Sequence, residues 1–273
     1  MQPKTRPAQN PAGGAALKKK DWPHWLLLTL TLAAAAATLF NSPGTIGKLD
    51  ALLLLLAAAS SIAALARTLP LQNVLFAAFV TALIGGAAHG LSARTGLPFG
   101  PLFFNPTSGP QLFNTVPPAV LLLWIIAIFN SRGVARLLLR PWRKVKKYGF
   151  LLMLLTAALA LAFDIALEPF ANTKHLWLWE PTKIPVTWFG ASPLSFLGWA
   201  FVSLLILAII MPYLIRKQPG RSSAPDFAPL ALWLGAIILF TVNAAQAGLW
   251  LAVIVNIVIA GAAAIFAWRG ARW

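Results

Sequence analysis

Residues 150–170 read FLLMLLTAALALAFDIALEPF, a run long enough to cross a bilayer as a helix, and it carries two acids. Runs of this length recur along the 273 residues, of which 59% are hydrophobic and 10% charged. That is more apolar than an ordinary soluble domain. Ala and Leu dominate the runs and polar residues do not alternate through them, so helices are expected rather than a closed β-barrel. The pattern predicts an all-α bundle of eight spans, near 23–40, 49–66, 71–90, 116–131, 148–169, 194–215, 227–243 and 246–267. Pro43 and Gly44 break the chain between the first two. Residues 22–273 are expected to form one transmembrane domain. The stretch 1–21, rich in Pro, Gly and Lys, reads as a disordered cytoplasmic tail. A signal peptide is the competing reading of the first run, but NSPG ends it where an A-x-A-like site is expected.

The basic residues orient the bundle. With a cytoplasmic N-terminus, 18 of the 22 Lys and Arg fall on the inner side and only Lys48, Arg94, Lys174 and Lys183 fall outside. That bias predicts a multi-pass protein of the cell membrane with both termini cytoplasmic. It also accounts for the net charge of +16, so no nucleic-acid partner is required. The loop RGVARLLLRPWRKVKK reads as a topogenic segment beside the membrane lipids. The chain has no cysteine, which excludes disulfides and thiolate chemistry. Its three histidines have no ligand spacing, so no metal is expected. No phosphate-cradling loop, nucleophile elbow or dinucleotide fingerprint is found.

Chemistry is expected on the opposite, outer side. Two long loops there, about 91–115 and 170–193, are read as lacking regular structure, and such loops are often functional. Asp164 and Glu168 are four apart and share one helical face. Carboxyls at membrane depth are candidates for function. Two side by side in a low dielectric do not both ionise, and the proton that remains equips one as a general acid. His89 is placed at the outer end of the third span, after the small residues Gly85-Gly86-Ala87-Ala88. Trp177, Trp179 and Trp199 read as interfacial residues or as aromatic faces that stabilise a cation. Trp22, Trp25, Trp142, Trp268 and Trp273 fit an inner aromatic belt.

The stretch RTGLPFG, followed by FFNPTSGPQLFNTVP, resembles carotenoid biosynthesis membrane proteins of the bisanhydrobacterioruberin and γ-carotene 1'-hydratase type. Those proteins carry a TG-x-PFG segment, then aromatic residues and a Val-Pro. Later come an Asp with a second acid and Pro four and five residues on, a Trp-x-Trp and a Gly-Trp. This chain has Asp164, Glu168-Pro169, Trp177-Leu178-Trp179 and Gly198-Trp199 in that order, within about residues 70–215. It departs in having His89 where a Glu is usual, Glu168 where the second acid is Asp, and Ser195 where an Asn is usual.

The resemblance implies acid-catalysed addition of water to a terminal C=C of an acyclic carotenoid, without a cofactor. Asp164, Glu168 and His89 are then the catalytic candidates. Arg94, Thr95, Gly96, Pro98, Phe99, Gly100, Phe103, Phe104, Trp177, Trp179 and Trp199 are the candidates for holding a carotenoid or other long isoprenoid. The competing function is a non-enzymatic carotenoid or lipid carrier, or an assembly protein. A proton-coupled transporter is disfavoured, because spans six to eight carry no charge and no inverted repeat is evident.

Overall fold

The computed structural model describes residues 22–38, 48–105, 110–180, 186–215 and 224–273. The tail 1–21, the break at Pro43-Gly44, residues 106–109 and Lys183 lie outside them. The described residues hold eight helices: α1 (Trp22–Thr38), α2 (Lys48–Ala66), α3 (Leu71–Thr95), α4 (Pro118–Leu138), α5 (Tyr148–Thr173), α6 (Pro193–Ile210), α7 (Ala228–Gln246) and α8 (Trp250–Ala271). Seven of them, α2 to α8, are long and apolar enough to cross a membrane. The protein is a multi-pass helical membrane bundle.

Helix α4 is its axis. Of its apolar span 72% is buried, against 22% for α8. Polar groups inside such a bundle must bond to protein, since lipid offers no partner. Asn130 Nδ2 donates to Ser61 Oγ of α2 at 2.9 Å, and Trp233 Nε1 of α7 donates to Ser131 Oγ at 3.2 Å. Arg132 Nη2 donates to the Leu214 carbonyl at 2.6 Å, tying α4 to the turn that follows α6.

Several boundaries differ from the sequence expectation, those of α3, α4 and α5 among them. Helix α4 continues to Leu138, so Arg132 and Arg136 are helical and Arg132 is buried rather than in a loop. Helix α3 continues to Thr95, so His89 lies inside the helix and not at its end. Gly90 does not stop it; Gly96 does, capping the helix at φ 77°, which a residue without Cβ adopts freely. Helix α5 continues to Thr173 with Pro169 inside it.

The two long loops are not wholly irregular either. Strand β1 (Leu102–Phe104), after α3, pairs antiparallel with β2 (Trp177–Trp179), after α5. Leu102 faces Trp179, and Phe104 faces Trp177. This clasp closes the bundle on one side, and Glu180 N donates to the Pro101 carbonyl at 3.1 Å beside it.

Candidate active site

The site lies under the clasp. The turn after α3 folds back because Ser92, a buried residue of its last turns, bonds both ways. Ser92 Oγ donates to the Gly100 carbonyl at 2.8 Å and accepts from Phe99 N at 3.1 Å. Gly100 N also donates to the Gly96 carbonyl at 2.9 Å. Phe99 is thereby driven into the core, fully buried. Gly198 of α6 makes room for it: a Cβ there would stand 2.6 Å from the Pro98 carbonyl oxygen and 2.7 Å from the Phe99 ring.

His89 is 2% exposed and boxed by aromatic rings. Centroid separations are 4.4 Å to Phe99, 5.9 Å to Trp124, 6.1 Å to Trp199, and 6.2 Å to both Phe104 and Trp177. Trp124 and Trp199 stack on each other at 4.0 Å. Trp124 occupies the space that a side chain on Gly85 would fill. Its indole Nε1 lies 3.1 Å from His89 Nδ1.

Asp164 and Glu168 are both fully buried. Glu168 Oε2 accepts from Trp179 Nε1 at 3.1 Å and from Trp177 Nε1 at 3.3 Å. Neither oxygen of Asp164, nor Oε1 of Glu168, has a hydrogen-bond partner among the described residues. Pro169 explains a third indole contact. Having no N–H, it leaves the Ile165 carbonyl without its helical donor, and Trp188 Nε1 supplies one at 2.9 Å. The loop after β2 is thus fastened to α5 between the two acids.

Trp177 joins the parts. Its ring faces His89 and Phe104, its N–H reaches Glu168, and it lines a cleft of about 180 Å³. The cleft runs between α1, α2, α4, α5 and α7 and is walled mainly by Leu, Ala and Phe. From α5 it takes Phe163, Leu167 and Phe170, and from the residue that caps that helix, Lys174. Asp164 and Glu168 stand one position further round that helix and are not in the lining.

The structure therefore brings His89, Phe99, Phe104, Trp177 and Trp199 together, and joins Glu168 and Trp179 to them through Trp177 and the clasp. Asp164 follows one helical turn from Glu168. It does not bring in Arg94, which is exposed and donates to Thr115 Oγ1 at 3.1 Å, with no ion pair to either acid. Thr95 is exposed and donates to the Leu91 carbonyl, and Phe103 points out at 47% exposure. Gly96, Pro98 and Gly100 shape the turn that delivers Phe99. Sequence reasoning missed Trp124 and Ser92. The signal for Trp124 was Gly85, a gap in α3 with a large side chain due to fill it.

The family model for carotenoid biosynthesis proteins matches residues 49–263. The chain belongs to that family. The match runs from α2 into α8 and includes both acids, the aromatic box and the clasp. Membership gives the protein a role in carotenoid biosynthesis and implies a carotenoid-type substrate. Neither the comparison with curated proteins nor that with solved structures gives a match.

Proposed function

We propose that the protein is a cofactor-independent hydratase that adds water to a terminal C=C of an acyclic carotenoid. The observation that carries this reading is the pair of fully buried carboxyls, one donor-rich and one with no partner. Two indole N–H groups on Glu168 suit a carboxylate, since hydrogen bonds favour the charged form they bind. Asp164 has no such donors, which suits the protonated acid of the pair. It delivers its proton to one carbon of the alkene, and the tertiary cation forms at the other. Aromatic faces attract a cation through their quadrupole, and the rings around His89 are that kind of surface. Water then adds to the cation and releases its extra proton to the carboxyl pair, so the acid is restored and no redox step occurs.

The apolar cleft suits a polyene, with Trp177 at the boundary between the cleft and Glu168. Leu167 and the Trp177 indole have to yield for the alkene to reach the acids. In His89, Nδ1 is engaged by Trp124, so Nε2 is the nitrogen left to orient water. The clasp side of the bundle is assigned to the outer face, on the distribution of basic residues.

One observation favours the carrier reading: the acids stand outside the cleft lining. A carrier needs the cleft and not the acids. Expression in a lycopene-producing host, followed by mass spectrometry of the pigments, separates the two. A hydratase yields pigment heavier by one water; a carrier leaves the pigment unchanged.

A further inference from the structure

Lys174 caps the C-terminal end of α5 and is only 5% exposed, yet its side chain lines the apolar cleft. Its backbone N donates to the Phe170 carbonyl. Its ammonium has no hydrogen bond or ion pair among the described residues. An ammonium carries three donors, and the walls of this cleft, mainly Leu, Ala and Phe, offer few acceptors. Its position is specific. It lies six residues beyond Glu168, roughly 9 Å along the helix at 1.5 Å per residue. It therefore stands at the clasp end of the cleft, where Trp177 and Phe104 also line it. Asp50, from α2, lines the same cleft, so the lining carries both signs of charge and is not built for a full anion. What remains is an uncharged oxygen on an otherwise apolar chain.

We infer that Lys174 binds the oxygenated end, hydroxyl or carbonyl, of a long isoprenoid seated in the cleft. This rests on the carotenoid reading of the cleft and adds to it a preference for oxygenated over hydrocarbon ends. In the proposed reaction the oxygenated end is the product's. The hydrated end moves outward from the acids to Lys174, and the protein holds product more tightly than substrate.

The test is equilibrium binding of two pigments to the full chain in lipid nanodiscs, read by quenching of tryptophan emission. The probes are lycopene and its 1-hydroxy-1,2-dihydro derivative, with the pigment recovered and its mass checked after each titration. A charge-assisted hydrogen bond predicts roughly tenfold tighter binding of the hydroxylated pigment. Lys174→Met, which keeps the apolar stem, should abolish the preference while lycopene binding stays the same. Lys174→Arg, which keeps charged donors, should retain most of it. Because the readout is a ratio of affinities, a general loss of folded protein does not imitate the effect. Equal binding of both pigments to wild type, or an undiminished preference in Lys174→Met, overturns the inference alone. Binding of neither pigment overturns it together with the carotenoid reading.

Discussion

The indole N–H of Trp124 donates to Nδ1 of His89 across 3.1 Å, inside a box of aromatic rings. The same Nδ1 lies 3.1 Å from the Gly85 carbonyl oxygen. It cannot accept from one and donate to the other. The Gly85 carbonyl already accepts the helical N–H of His89 within α3, whereas the buried indole N–H has no other acceptor among the described residues, so Nδ1 is the acceptor and the ring proton resides on Nε2.

That tautomer is open to direct observation. The chain has three histidines, so ring 15N spectra of labelled protein are simple. Wild type should show one imidazole with a bare Nδ1. Trp124→Phe removes the donor, and Nδ1–H should then bond to Gly85, which inverts the pattern. No change in the nitrogen shifts would mean that the Trp124 bond does not fix the ring.

On the resemblance drawn from the sequence, His89 stands where a Glu is usual. His89→Ala should cut hydrated product strongly, and His89→Glu should retain much of it. The measure is product per unit of membrane-inserted protein. Equal yields from wild type and both variants would leave the histidine as packing within α3.

Asp164→Asn should lower product by at least about 100-fold, the lower range for loss of a general acid. The amide is nearly isosteric, so the variant should still accumulate in the membrane. Glu168→Gln should also impair turnover, since its two indole donors would face a neutral group. Full turnover in both variants would make the pair structural and favour the carrier.

Packing at the turn over α6 gives a stability test. Gly198→Ala places a methyl against Pro98 and Phe99, an overpacking expected to cost about 1–3 kcal/mol. Gly261, with nothing within 4 Å of its would-be Cβ, is the matched control. Thermal unfolding in detergent should fall for Gly198→Ala and not for Gly261→Ala. Equal midpoints would mean that the turn moves aside at little cost.

The eight helices were legible because lipid demands long apolar runs, and seven of them, α2 to α8, are long and apolar enough to cross a membrane. The two acids were legible for the same reason, as rare charges in a run like that of α5. The far ends of α3 and α5 were less so. Gly90 and Pro169 look like stops, but Gly90 is tolerated within α3, and the carbonyl freed by Pro169 is bonded by Trp188. Trp124 was hidden because a tryptophan in mid-span carries no mark of its partner, and His89 lies 35 residues away. Strands of three residues are too short to announce themselves by alternation. The cleft draws on five helices, and no local pattern encodes it.

The basic-residue bias predicts cytoplasmic termini. A reporter fused after Trp273 should be active only on the cytoplasmic side. Activity on the external face would reverse the bundle and place the clasp and the acids inside.

The pairing of Leu102–Phe104 with Trp177–Trp179 makes two distant loops a single hereditary unit. Side chains alternate across a strand, so losing one residue just ahead of β1 turns Phe104 out and Phe103 in, losing one just ahead of β2 turns Trp177 out and Leu178 in, and either change separates Phe104 from Trp177. A length change in one loop is tolerable only with a matching change in the other. Relatives should exchange the two loops as a pair, and chimeras that graft one alone should fail even where each sequence is sound in its own parent.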